Sequence, residues 1–156
     1  MGFSKLNLIA HRGLIKGPSK TLENQPHNLR ATLEQGYDCE IDLWVFDNRL
    51  YLGHDGPQFN VTQAFIENPK FWIHAKNLEA FYWLTDTQLT YFWHENDKFT
   101  LTSNGYIWSY PEQDLTNKSI RLMPEWADPG LTTVKENVCY GVCSDYILKI
   151  NELLRG

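Results

Sequence analysis

The stretch Gly36-Tyr37-Asp38-Cys39-Glu40-Ile41-Asp42-Leu43-Trp44-Val45-Phe46 decides how this chain is read. Its residues alternate in period two: Cys39, Ile41 and Leu43 face one way, and Glu40, Asp42 and Trp44 face the other. That pattern describes a strand with one apolar face and a second face carrying two carboxylates. Two like charges that close are costly unless a cation or another partner sits between them. Asp47-Asn48 is a turn signal, and Arg49 to Gly53 runs back as the second arm of a hairpin. The return brings His54-Asp55 towards the level of Glu40 and Asp42.

Upstream, Leu6 to Ala10 is a short apolar strand that ends in His11-Arg12-Gly13. A loop leads to a helix that starts near Pro26, buries Leu29 and Leu33 on one face, and stops at Gly36. Downstream, Val61 to Asn68 reads as a short helix and Phe71 to Lys76 as a strand. Asn77 caps a helix over Leu78 to Thr85, and Thr90 to His94 is the next strand. Asn104-Gly105 sits between two β-prone arms, a strong hairpin signal. Ser119 to Pro124 and Tyr140 to Ile147 are further strands, and Lys149 to Leu154 is a last helical segment.

Strand–helix–strand alternation in the first half predicts parallel βαβ units. Polar residues close strand after strand: His11, then His74 and Lys76, His94, Glu125, and Ser144-Asp145. Side chains at the C-terminal strand ends of an α/β barrel converge on one site. The expected fold is therefore α/β, a compact and reduced TIM-type (β/α) barrel forming a single domain over 1–156. A complete eightfold barrel needs about 200 residues or more. The segment from Leu89 to Pro124 has no room for regular crossover helices, so helices are expected to be missing in the second half.

The 156 residues carry a net charge of −5, with 42 % hydrophobic and 21 % charged residues, and these proportions are ordinary for a globular chain. There is no Lys/Arg run, which argues against nucleic acid as a partner. No apolar run has the length of a membrane span, so no membrane insertion is expected. The start of the chain, Met1 to Leu6, lacks the apolar core of a signal peptide. Cys39, Cys139 and Cys143 are odd in number and lack zinc-site spacing, and read as reduced thiols in a cytoplasmic protein. Aromatics reach 14 %, enough for a core filled by large side chains or for an aromatic-lined pocket.

Phosphodiester cleavage needs one group to take a proton from the nucleophile and another to protonate the leaving oxygen. Histidine is the side chain best matched to both near neutrality, and His11 and His54 are candidates. Arg12 offers a charge for an anion, and Glu40 with Asp42 offers a seat for a divalent cation.

Four ordered pieces resemble the N-terminal half of the glycerophosphodiester phosphodiesterase family, within the wider group of phospholipase-C-like (PLC-like) phosphodiesterase barrels. They are Ile9-Ala10-His11-Arg12-Gly13, Glu23-Asn24, Gly36 to Asp42, and Gly53-His54-Asp55, with a weaker echo in His74-Ala75-Lys76. The resemblance implies a hydrolase that cleaves a small-molecule phosphodiester. His11 and His54 would be the acid/base pair, with Arg12 and Lys76 near the phosphate. Glu23 and Asn24 would support the His11-Arg12 corner. Glu40 and Asp42 would hold one divalent metal ion, Mg²⁺ or Ca²⁺. The family carries an acid two residues before the lysine, where this chain has His74. A histidine ligand there shifts the expectation towards Mn²⁺ or Zn²⁺. A second expectation follows from the same departure: a catalytically degenerate barrel that binds a phosphorylated sugar or lipid head group.

Overall fold

The computed structural model describes residues 5–136 and 138–156; Met1 to Ser4, where the signal-peptide reading begins, lie outside them. Strand β1 (Asn7–Ala10) runs into a single 3-10 turn at His11–Gly13, and α1 (Pro26–Glu34) follows. Next come β2 (Asp38–Phe46), β3 (Arg49–Leu52), β4 (Phe59–Val61), α2 (Gln63–Ile66), β5 (Phe71–Ala75), α3 (Leu78–Leu84) and β6 (Thr90–Phe92). The remaining elements are β7 (Phe99–Leu101), β8 (Ile107–Ser109), β9 (Ser119–Leu122), 3-10 turns at Pro124–Trp126 and Val134–Glu136, β10 (Gly141–Ser144) and α4 (Ile147–Arg155).

All ten strands join one sheet. Its parallel part runs β6-β5-β2-β1-β10-β9-β8, and β3, β4 and β7 add antiparallel arms. Period two sorts the side chains. Leu8, Ala10, Cys39, Ile41, Leu43, Ile73 and Val142 point outwards into the larger core beneath the helices. Ile9, Trp72, Phe92, Trp108, Ile120 and Cys143 point into the concave side. Glu40, Asp42 and His74 share the parity of that inner set.

The TIM-type barrel expectation is corrected. The described residues form a mixed ten-stranded sheet curled into a half-barrel, with four short helices among them instead of a helix after each strand. The reason lies in the connections. Between Trp93 and Lys98, and again between Tyr110 and Lys118, the chain returns without a helix. The strands β6 and β7 share no ladder. Isolated contacts span that gap instead, among them Ser103 N donating to Tyr91 O at 2.9 Å, Tyr91 N donating to Ser103 Oγ at 2.8 Å, and His94 Nδ1 lying 3.0 Å from Thr100 Oγ1. Two smaller differences follow from local chemistry. β4 ends on Val61, where a helix was expected to begin, and β10 stops at Ser144, short of the expected Ile147, where α4 begins.

Helix ends hold the sheet and the site in register. Gln25 caps α1 by accepting from Asn28 N at 2.6 Å. Asn77 caps α3 through Ala80 N at 3.0 Å and also donates to Val45 O at 2.9 Å, which ties α3 to β2. Gly13 has φ +79, and a Cβ there would lie 2.6 Å from Leu29 Cδ2. The turn after β1 therefore depends on glycine to pack against α1.

Candidate metal centre and phosphate pocket

A cavity of about 510 Å³ opens at the C-terminal ends of the parallel strands. His11, Arg12, Glu40, Asp42, His54, His74 and Lys76 all line it. The sequence expectation thus comes together in one place, with β1, β2, β5 and the loop after β3 each delivering part of it.

Glu40 and Asp42 are 3 % and 1 % exposed, so neither is a solvated surface acid. His74 Nδ1 lies 3.1 Å from Asp42 Oδ1 and 3.9 Å from Glu40 Oε2. One ligand atom from each of the three falls within 4.8 Å of the others. Two carboxylate oxygens and one imidazole nitrogen converging at that spacing can hold a metal ion. His74 is oriented for it. A carbonyl only accepts, so Nε2 carries a proton towards His94 O at 2.9 Å, and Nδ1 is the nitrogen turned to the carboxylates. Phe92 stacks on the ring at 5.3 Å and fixes its plane.

The carboxylates are supported separately. Asn24, fully buried with φ 59, donates to Asp42 Oδ2 at 2.9 Å and accepts from Asp42 N at 2.9 Å. Arg12 N donates to Glu40 Oε1 at 3.2 Å. Burial, with Asp42 beside it, pushes the Glu40 carboxyl up to about 7, against the pull of His11, His74 and Arg12. Burial also acts to raise Asp42. There the hydrogen bond and charge of His74, with Asn24 and Arg12, win and hold it well below the usual carboxylate range.

Arg12 sits at φ 54 and ψ 25. This left-handed conformation turns its side chain back over the site. Nη1 donates to Glu23 Oε2 at 2.7 Å, which gives Glu23 its supporting place. Nε is buried without a hydrogen-bond partner and lies 3.6 Å from Asp42 Oδ2.

The two histidines stand in different settings. His11 Nδ1 is 2.8 Å from Asp145 Oδ1, and its Nε2 lies 4.0 Å from Glu40 Oε1. Burial disfavours its charge, but the bond to Asp145 and the charges of Glu40 and Asp145 outweigh that and raise it above the ordinary histidine value. His54 lies at the rim, with Nδ1 2.8 Å from Asp55 Oδ1. The bond to His54 holds exposed Asp55 below the usual carboxylate range.

Asp145 is the partner that motif reading passed over, although Ser144-Asp145 stood out as a polar strand end. It is joined to Glu125, whose Oε2 accepts from Asp145 N at 3.2 Å and whose Oε1 accepts from Ser144 Oγ at 2.7 Å. Glu125, which the sequence showed only as a polar strand end, is thereby committed to the end of β10. His94 is another of the polar strand ends seen in the sequence. It lines the cavity, and its Nδ1 lies 3.0 Å from Thr100 Oγ1.

Fold and site together define a curled mixed sheet that carries a carboxylate–imidazole cluster capable of holding a metal at its parallel strand ends. No family model, no curated protein and no solved structure matches the chain. Among the described residues no helix is long and apolar enough to cross a membrane.

Proposed function

We propose that the protein is a metal-dependent phosphodiester hydrolase of the glycerophosphodiester phosphodiesterase type. One observation carries the reading: a carboxylate–imidazole cluster and an Asp-supported histidine open into the same cavity as a second histidine and two cationic side chains. A structural role alone gives no reason to bury Glu40 and Asp42 side by side.

Glu40, Asp42 and His74 would hold one divalent ion, which when bound offsets charge on the phosphoryl oxygens. Mg²⁺ suits the carboxylates, and Ca²⁺ follows from the family resemblance. The nitrogen ligand favours Mn²⁺ or Zn²⁺ over Ca²⁺. His11 keeps a proton at Nδ1 towards Asp145, which leaves Nε2 to exchange a proton with the reacting groups. His54 serves the opposite proton transfer from the rim. Arg12 and Lys76 neutralise the remaining charge of the diester, and Glu23 and Asn24 keep Arg12 and Asp42 in position.

A screen of phosphodiesters against Mg²⁺, Ca²⁺, Mn²⁺ and Zn²⁺ tests the reading, with Asp42→Asn as control. Turnover with at least one ion, lost in Asp42→Asn, supports it. Metal and phosphate binding without turnover of any diester identifies instead a binding module for a phosphorylated sugar or lipid head group.

A further inference from the structure

We propose that one of the two ester groups of the diester is apolar, an alkyl or aromatic group seated on the wall built by the second half of the chain. This rests on the hydrolase reading of the same cavity and narrows its substrate.

The cavity is divided. Its charged side comes from the ends of β1, β2 and β5. Facing it, β6, β8, β9 and the residues after them supply Phe92, Trp108, Tyr110, Leu122, Met123 and Trp126. Phe92 and Trp108 are packed at 4.5 Å and 3 % exposed each, and form a fixed floor. Core packing accounts for that pair. It does not account for Tyr110 and Trp126, which stay 39 % and 60 % exposed and meet edge to face at 6.3 Å. Two large rings left open at the mouth of a cavity are apolar surface waiting for a ligand. The backbone that carries Trp126 is held in a turn: the Trp126 backbone N–H donates to Met123 O at 3.0 Å, and Met123 occupies the left-handed conformation at φ 43.

The rings themselves offer little hydrogen bonding, namely the Tyr110 hydroxyl and the indole N–H groups of Trp108 and Trp126, while His94, Glu95 and Asn96 supply the other polar groups on this side. A glycerol or sugar ester pressed against the rings gives up water for few partners. An apolar ester loses nothing and gains by burial.

The test uses calorimetry on the Mn²⁺-loaded full chain with four probes: phenyl phosphate, hexyl phosphate, glycerol 1-phosphate and inorganic phosphate. Phenyl or hexyl phosphate is expected to bind about tenfold more tightly than glycerol 1-phosphate. An advantage for phenyl alone identifies an aromatic ester, and an advantage for both identifies apolarity in general. In Trp126→Ala/Tyr110→Ala the advantage should shrink to about threefold or less, with inorganic phosphate unaffected. The wild-type comparison decides without any variant. Equal affinity for the three esters overturns the inference and leaves the phosphate site standing. Failure of all four probes to bind, inorganic phosphate included, overturns both.

Discussion

Asp145, just past the end of β10, holds Nδ1 of His11, just past the end of the adjacent β1, at 2.8 Å. The two are 134 positions apart in sequence, and the parallel pairing of β1 with β10 makes them neighbours. The Asp145 carboxylate dictates which ring nitrogen of His11 faces the cavity.

Asp145→Asn should therefore lower kcat about 10²-fold with little change in KM, because it disturbs the proton-transfer group and not the phosphate contacts. The imidazole ¹⁵N shifts of His11 should show the Nδ1–H tautomer in the wild type and lose that preference in the variant. An unchanged tautomer and an unchanged kcat would remove Asp145 from the site.

Metal binding should stabilise the fold. At a free ion concentration of about 100 Kd the gain is about 2.7 kcal/mol. For a chain of this size that is a rise of roughly 5–10 °C in Tm. Glu40→Gln and Asp42→Asn should each abolish the rise in thermal melts with Mn²⁺. A rise that persists in both variants would locate the ion elsewhere.

Metal affinity should also depend on pH in a defined direction. The Glu40 carboxyl is pushed from an ordinary 4.5 up to about 7 by burial and by Asp42. The folded metal-free protein thus binds a proton there that the unfolded chain releases earlier. Its stability falls as pH rises from about 4.5 to about 7. The ion requires the carboxylate, so its affinity rises over the same interval and the stabilisation by metal grows with it. Calorimetric titrations at pH 5.5, 6.5 and 7.5 check the sign. Affinity that falls as pH rises contradicts the placement of Glu40 among the ligands.

Asn24→Ala removes a fully buried side chain that bonds Asp42 in both directions. It leaves the Asp42 N–H unsatisfied and should cost about 2 kcal/mol of stability in urea unfolding. It should also weaken metal binding by about 10–100-fold, the usual effect of losing a group that orients a ligand. Wild-type affinity in this variant would show that Asp42 needs no such support.

What could be read from the sequence was local. Period two in β2 placed Glu40 and Asp42 on one face; His74 entered through the family resemblance, with period two setting it on one face with Lys76, and the parallel register of β2 and β5 sets it opposite Asp42. The curl of the sheet was not local. It depends on whether β6 and β7 pair, and no short pattern encodes that. They stay apart, so the barrel expectation failed although the strand rhythm was visible. Asp145 was visible as a polar strand end but not as the partner of His11, for a related reason: a single acid after a strand gains meaning only when a distant strand is laid beside it. Glu125 is the same case, a polar strand end whose bonds to Ser144 and Asp145 depend on the meeting of distant segments.

The most direct measurement is steady-state hydrolysis of bis(p-nitrophenyl) phosphate by the metal-loaded wild type, His11→Ala, His54→Ala and His27→Ala. His27, exposed on α1, is the control. The expected result is a loss of about 10²–10⁴-fold in kcat for His11→Ala and for His54→Ala, with His27→Ala unchanged. Full activity in both His11→Ala and His54→Ala would contradict the two-histidine site.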